Sequence, residues 1–282
     1  MTRHLAVLGS PIEHSKSPSI HEAAYRTLQL NWDYSKLEIK SNHLLQFIET
    51  LDSDWLGLSL TMPLKEEAAR LANERSALVL ATGVANTLLR TTTGWTAHNT
   101  DVFGIQRALE TEFQTPPKSV SIIGSGATAT SAVFAIADSY PDAKITVFAR
   151  NFESAADLKD RAKGSSIDIR VKPLKNGKRS LLGFDLVIST LPSGALDSAA
   201  VKLRKSSFSK PKGVLLDVAY HPWPSELAST WLRSTLTCIS GIEMLIWQAI
   251  GQIRIFNHND ISVELPNERA VELSMRHSLG LI

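Results

Sequence analysis

The chain has 282 residues, 43% of them apolar, with 30 basic against 28 acidic side chains and a formal net charge of +2. That length holds one large domain or two modest ones with real cores, and so even a charge balance offers no footprint for nucleic acid or an acidic membrane surface. A single cysteine, Cys238, excludes an internal disulfide and a multi-cysteine metal site, and no apolar run reaches the roughly 18 residues of a spanning helix.

Strand and helix alternate along the chain. His4–Leu8 reads as a strand, and its apolar run stops at Gly9-Ser10-Pro11, too short for a signal peptide, so the expected location is the cytoplasm. Ser17-Pro18 has the form of an N-cap followed by proline at the first helical position, opening a helix over Ser19–Leu30. Tyr34–Ile39 is the second strand, and Ser41 is expected to cap a helix running to about Leu51. Trp55–Leu60 is the third strand, with a helix from Pro63, and Val84–Leu89 is the fourth. A helix over Val102–Glu112 runs up to Pro116-Pro117, the clearest linker punctuation in the chain.

A second series follows. Ser119–Ile123 is a buried-type strand, and Gly124-Ser-Gly-Ala-Thr-Ala129 opens a helix to about Ser139. Lys144–Ala149 is a strand, Phe152–Lys163 a helix, and Ile167–Val171, Asp185–Ser189 and Gly213–Asp217 are strands. Gly241–Phe256 reads as a long, mostly apolar helix. This alternation argues for parallel sheets. Lys172–Arg179, with four basic residues around Gly177, reads as a solvated loop.

The glycine loop fits G-x-G-x-x-A between a strand and a helix. The first glycine permits a tight turn and the second lets phosphates approach the backbone. Ala129 allows close helix–strand packing, and the helix start offers free N–H groups to a pyrophosphate. The next strand ends at Ala149-Arg150-Asn151, where a carboxylate would favour NAD. Arg150 can instead pair with a 2′-phosphate, which favours NADP; the alternative is a surface residue at a helix start.

Several polar segments sit where ligands bind in open α/β sheets, after strands. Ser15 and Ser17 follow the first strand, although Ser17 has capping as a second reading. Thr61 and Lys65 follow the third, although a lone lysine is ordinarily a solvated charge. Asn86-Thr87 and Asn99-Thr100-Asp101 are each, taken alone, as readily turn and cap residues as ligands.

Taken together, Gly9–Pro18, Leu60–Lys65, Ala85-Asn86-Thr87, Asn99–Asp101, the glycine loop, Ala149-Arg150-Asn151, Asp217–Pro222 and Gly241–Gln248 span nearly the whole chain, and in order and spacing it resembles the shikimate dehydrogenase family. The resemblance implies reversible NADPH-dependent reduction of 3-dehydroshikimate to shikimate, in the route to aromatic amino acids. It makes Lys65 the catalytic lysine and Asp101 its partner. Ser15, Ser17, Thr61, Asn86, Asp101 and Gln248 then hold the ring hydroxyls and carboxylate, with Tyr220 near the substrate. The cofactor would be held by Gly124, Ser125, Gly126, Ala127, Thr128, Arg150, Asn151, Val218 and Gly241. The pairing of Ser15 with Ser17 implies shikimate over quinate. Departures from the family pattern stand at Ser59, His98, Val102, Ala127 and Glu243, in place of a frequent asparagine, aspartate, glycine, glycine and glycine respectively.

The residue types suit that chemistry. Hydride delivery to a ketone leaves a developing alkoxide, which an ammonium can protonate, and in reverse a neutral amine takes the proton back. A polyol acid also demands several short polar side chains, because each unpaired buried hydroxyl costs about 1–3 kcal/mol.

Other readings are a quinate/shikimate dehydrogenase using NAD, a methylenetetrahydrofolate dehydrogenase, and a non-catalytic nucleotide sensor. No metal site is expected, since His21-Glu-Ala-Ala-Tyr25 lacks the second histidine of a zinc motif. No G-x-S-x-G elbow marks a hydrolase. The expectation is two α/β domains. Residues 1–100 with 240–282 form a mixed or parallel α/β substrate domain, and residues 101–239 a Rossmann-like, doubly wound NADP domain. The active site is expected in the cleft between them. The partners are a small-molecule substrate and NADP, with no nucleic acid or membrane, in a monomer or homodimer.

Overall fold

The computed structural model describes residues 2–174, 180–204 and 211–282. The basic run's Lys175–Arg179 lies outside the described residues. The chain divides into two compact units, residues 1–104 with 245–282, and residues 105–244.

The first unit holds β1 (Arg3–Gly9), α1 (Ser17–Thr27), β2 (Trp32–Glu38), α2 (Leu44–Glu49), β3 (Trp55–Leu60), α3 (Lys65–Leu71), β4 (Glu74–Arg75), α4 (Ala77–Thr82), β5 (Thr87–Thr91) and β6 (Gly94–His98). α5 (Asp101–Leu109) begins in this unit. The sheet order is β2-β1-β3-β5-β6-β4. β1, β2 and β3 are parallel, but β5 runs antiparallel to β3 and to β6. A purely parallel sheet is thus not what forms here, because Thr91–Gly94 reverses the chain and pairs β5 with β6 as a hairpin. One face buries Leu8, Leu44, Leu58, Leu60, Leu64 and Leu88 in a continuous core.

Two expected caps are replaced. Ser17 is already helical and buried, and its amide donates to the Ser15 hydroxyl at 3.3 Å. Ser41 does not cap α2. The buried Glu67 carboxylate of α3 accepts instead from the Asn42 and Leu44 amides, at 2.9 and 3.1 Å, so a neighbouring helix supplies the anion that the start of α2 favours.

The second unit has β7 (Ser119–Ile123), α6 (Ala127–Ser139), β8 (Lys144–Ala149), α7 (Phe152–Gly164), β9 (Ile169–Pro173), a 3-10 turn (Ser180–Gly183), β10 (Leu186–Ser189), α8 (Asp197–Arg204), β11 (Val214–Asp217), α9 (Glu226–Leu232) and β12 (Cys238–Ser240). All six strands are parallel, in the order β12-β11-β10-β7-β8-β9. That is the doubly wound order of the Rossmann fold, with its switch point between β7 and β10. Ile123, Phe148, Val187, Leu215 and Trp231 form its core, and the Trp231 indole N–H donates to the Gly213 carbonyl at 2.9 Å.

α10 (Gly241–His258) carries the chain back into the first unit, where α11 (Glu268–Ser278) packs beside α1. The buried Arg254 guanidinium holds α11 by a bidentate pair to Glu268, at 2.7 and 2.5 Å, and donates to the Ile261 carbonyl at 2.9 Å. Among the described residues, no helix is long and apolar enough to cross a membrane.

Candidate active site

Sheet topology gathers the polar segments of the first unit at one edge. Parallel β1 and β3 end there, and the loops that follow them touch, the Ser10 amide donating to the Met62 carbonyl at 3.0 Å. Because β5 is antiparallel to β3, its start lies at the same edge, and the Leu60 amide donates to the Asn86 carbonyl at 2.8 Å. β6 runs back to that edge and delivers Asn99-Thr100-Asp101 to the start of α5. Ser15, Thr61, Lys65, Asn86 and Asp101 therefore follow or precede strands that share one end of the sheet, the end where open α/β sheets bind ligands.

Lys65 is the first residue of α3 and Asp101 the first of α5. The Lys65 Nζ donates to Asp101 Oδ2 at 2.5 Å, and the side chains are 12% and 3% exposed. The carboxylate suits its place at a helix start, whereas the ammonium has the wrong sign for the start of α3. Lys65 is therefore not the solvated lysine of the bland reading: it is held by a charge-assisted bond.

Asn86 joins this pair to the rest. Its Nδ2 lies 2.9 Å from Asp101 Oδ1, 2.9 Å from Thr100 Oγ1 and 3.1 Å from Gln248 Oε1. Its Oδ1 accepts from the Thr100 amide and the Thr87 hydroxyl, both at 2.8 Å. The Thr100 hydroxyl donates to the Gln248 carbonyl at 2.9 Å, tying α10 to the group. Four expected site residues, Lys65, Asn86, Asp101 and Gln248, thus form one hydrogen-bonded cluster. Ser15 and Thr61, in the loops after β1 and β3, and Ser17, the first residue of α1, stand outside that cluster.

Two members escaped the sequence reading. Thr100 lies in a segment that reads equally as turn, cap or ligand and is not among the expected site residues, and Gln252 is not among them either. Gln248 and Gln252 stand one turn apart in a mostly apolar helix, and that spacing puts both on one face. Gln252 is buried and donates to the Asn86 carbonyl at 3.0 Å and to Thr87 Oγ1 at 3.1 Å. Behind it lies His21, stacked on Tyr34 with ring centroids 3.9 Å apart. Burial holds the His21 imidazole down at about 3, an effect that Gln252 opposes in part. His98, one residue before Asn99, is likewise lowered by burial.

In the second unit the candidate site is made of backbone. Gly124 has φ +121°, open to glycine and rarely to other residues, and a Cβ there would lie 2.4 Å from Thr190 Oγ1. No side chain caps α6 at Gly126, and a Cβ at Gly126 would meet nothing within 4 Å. Ala127 and Thr128 open α6, and the fully buried Ala129 packs in its first turn. The start of α6 thus has no side-chain cap from Gly126 and open space beside that residue, which fits a pyrophosphate. Ser125 Oγ is 2.7 Å from Ser154 Oγ. Arg150 is exposed at the end of β8, where a ribose-reading group belongs. The Asn151 Oδ1 is occupied in capping α7, accepting from Glu153 and Ser154 at 2.9 and 3.3 Å, so only its amide NH₂ could face a ligand.

Val218 and Gly241 meet at the same edge of this parallel sheet, directly after β11 and β12. A Cβ on Gly241 would lie 2.0 Å from the Val218 carbonyl oxygen, so only glycine allows this approach. Tyr220, half-buried, stands in the loop after β11. That loop is pinned by Asp217, whose buried carboxylate accepts from the Ser225 hydroxyl at 2.5 Å, while Ser225 caps α9. Burial raises the Asp217 carboxyl, against hydrogen bonds from Ser225, Ser189 and the Ala219 amide. Burial and the Asp217 charge together push the Cys238 thiol up to about 12. Among the described residues, no three His, Cys, Asp or Glu side chains gather as a metal site.

Residues 7–88 match the family model of the shikimate dehydrogenase substrate binding domain. A shikimate dehydrogenase (NADP(+)) from Hyphomonas neptunium is 32% identical over 252 residues, 88% of this chain and 89% of its own. The chain belongs to the shikimate dehydrogenase family. The crystal structure of Mycobacterium tuberculosis shikimate dehydrogenase superposes with a TM-score of 0.82 at 34% identity, over 98% of this chain and 99% of that one. A shikimate dehydrogenase solved in complex with NADP+ superposes with a TM-score of 0.81 at 26% identity, over 98% and 95%. Family membership gives a common frame to the lysine–aspartate pair of the first unit and the glycine loop of the second.

Proposed function

We propose that the chain catalyses the reversible, NADPH-dependent reduction of 3-dehydroshikimate to shikimate. The observation that carries this reading is the Lys65–Asp101 pair, buried and 2.5 Å apart, in a chain whose full-length relatives are shikimate dehydrogenases (NADP(+)). When bound, the dinucleotide supplies the hydride. The residues that fit it are Gly124 to Thr128 at the start of α6, Arg150 at the end of β8, and the Val218–Gly241 contact.

Lys65 then protonates the oxygen that becomes the new hydroxyl, and in the reverse direction takes that proton back. Asp101 keeps the ammonium oriented and accepts from a ring hydroxyl. Asn86 and Gln248 complete the polar floor, and Ser15, Ser17, Thr61 and Tyr220 contribute further hydrogen bonds. Arg150 reads the 2′-phosphate and so sets NADP over NAD.

The decisive measurement is the absorbance of NADPH formed when the purified chain is given shikimate or quinate with NADP or NAD. Shikimate with NADP should be the best pair, with kcat/KM at least about tenfold above quinate, roughly 1.4 kcal/mol of discrimination. A preference for quinate or NAD would assign the chain to the quinate-using branch. Nucleotide binding without turnover of either acid would leave only a sensor.

A further inference from the structure

Behind the Lys65–Asp101 pair a row of buried side chains runs in one direction. The Tyr34 hydroxyl donates to Ser59 Oγ at 2.7 Å, and Ser59 Oγ donates to Gln252 Oε1 at 2.9 Å. Gln252 Nε2 donates to the Asn86 carbonyl at 3.0 Å and to Thr87 Oγ1 at 3.1 Å. Thr87 Oγ1 donates to Asn86 Oδ1 at 2.8 Å, and Asn86 Nδ2 donates to Asp101 Oδ1 at 2.9 Å. Tyr34, Ser59, Gln252, Thr87, Asn86 and Asp101 are all buried. They come from β2, β3, α10, β5 with the residue before it, and α5, so the row runs from the β2 edge of the sheet to β5.

The direction is forced at each step. Ser59 has one hydrogen, and because its oxygen already accepts from Tyr34, that hydrogen is left for Gln252. Turning the Gln252 amide over would set its oxygen against the Asn86 carbonyl, two acceptors face to face. Gln252 therefore grips Asn86 twice, at the main-chain carbonyl and, through Thr87, at Oδ1. Bonds that point one way polarise one another, and a buried network with every member satisfied is stiff. Burial also holds the Tyr34 phenol well above its ordinary range, so it keeps the proton it donates.

We infer that Tyr34, Ser59 and Gln252 are positioning residues: through Asn86 they fix the Asp101 carboxylate in the orientation that holds the Lys65 ammonium. The inference rests on the proposed role of Lys65 and Asp101, and it assigns function to three side chains that lie behind the substrate edge.

Tyr34→Phe removes one hydroxyl and keeps the ring stacked on His21. It should lower kcat/KM for shikimate roughly tenfold, chiefly in kcat, and leave the KM for NADP unchanged. Gln252→Leu should cost more, and adding Tyr34→Phe to it should cost nothing further, because both act through one chain. Ser59→Thr, which keeps the hydroxyl, should retain activity that Ser59→Ala loses. A second readout needs no turnover. In protein labelled with ¹⁵N-asparagine, the Asn86 side-chain resonance, identified by its absence in Asn86→Asp, should move by more than its linewidth in Tyr34→Phe. An unmoved Asn86 resonance overturns the inference whatever the rates do, as does full additivity of the two substitutions. A moved resonance with kcat/KM within about twofold of the parent also overturns it. Should the parent not oxidise shikimate, the proposed function fails, and the Asn86 resonance still decides whether the row positions that amide.

Discussion

The two units build their sites from opposite materials. In the first, the clustered candidate groups are side chains, held largely by one another: Lys65 by Asp101, Asp101 by Asn86, and Asn86 by the Thr87 hydroxyl and the Thr100 amide, with Gln252 on its main-chain carbonyl. In the second, the candidate site is backbone shaped by the lack of side chains, close-packed at Gly124 and Gly241 and exposed at Gly126. A proton must be moved by a titratable group, whereas a pyrophosphate is held by N–H groups that any residue carries. The first unit should therefore be broken by taking atoms away, and the second by adding them.

Truncation in the first unit should give the largest effect. Lys65→Ala is expected to lower turnover by a factor on the order of 10² to 10⁴, the usual worth of a positioned acid/base. NADP binding, measured by fluorescence titration, should persist, because the glycine loop lies in the other unit. Near-normal turnover would remove Lys65 from the chemistry.

The buried polar network of the first unit also carries a pH liability that a backbone site lacks. The His21 imidazole is held near 3 when folded, against 6.5 in an unfolded chain, so the unfolded state binds the extra proton. Stability from this group is fully present above about pH 6.5 and is lost as pH falls toward 3. Between pH 7 and pH 4.5 the loss should be about 2–3 kcal/mol. Urea titrations at both pH values should show that much less pH dependence in His21→Phe than in the parent. Equal slopes would mean that His21 is not kept neutral.

Addition is the test for the second unit. Gly241→Ala sets a methyl against the Val218 carbonyl and should cost roughly 2–3 kcal/mol of stability, with a raised KM for NADP. Thermal unfolding and steady-state kinetics check both. An unchanged melting temperature would show that the Val218 loop yields freely. Arg150 is the exception that sharpens the contrast, a side chain in a backbone site. Arg150→Ala should raise the KM for NADP about tenfold and scarcely change that for NAD. Equal losses would make Arg150 a support for its loop.

The same contrast explains what was legible in the sequence. The second unit's strands Ser119–Ile123 and Lys144–Ala149 and its glycine loop are local signals, and the strands lie where their apolar runs end. The first unit depends on distant pairings. β6, Gly-Trp-Thr-Ala-His, has little strand patterning of its own, yet its pairing with β5 is what carries Asp101 to the sheet edge. The bounds of α11 are not legible in the sequence, because its buried face is narrow, Val271, Glu272 and Met275, and its start at Asn267 lacks a side-chain cap. Ser41 looked like a cap and is not one, since the Glu67 carboxylate that takes its place is 26 residues further on. Gln252 was hidden for a similar reason: its partners Ser59, Asn86 and Thr87 are more than 160 positions away in the chain.

The Asn86 amide has a consequence for what the first unit can accept. Its two hydrogens face three oxygens within reach, on Thr100, Asp101 and Gln248. The Thr100 hydroxyl gives its own hydrogen to the Gln248 carbonyl, so both amide hydrogens are left for the Asp101 and Gln248 side-chain oxygens. The hydrogens of Asn86 and Thr100 are then all committed, while the carboxylate oxygen of Asp101 can still accept. Under the proposed function, a guest O–H at this spot finds an acceptor and disturbs no existing bond, whereas a guest ether oxygen finds no hydrogen to spare on Asn86 or Thr100 and goes unpaired, at about 1–3 kcal/mol. Preference for a hydroxylated ring would then follow from which partner holds the hydrogens, before shape enters at all.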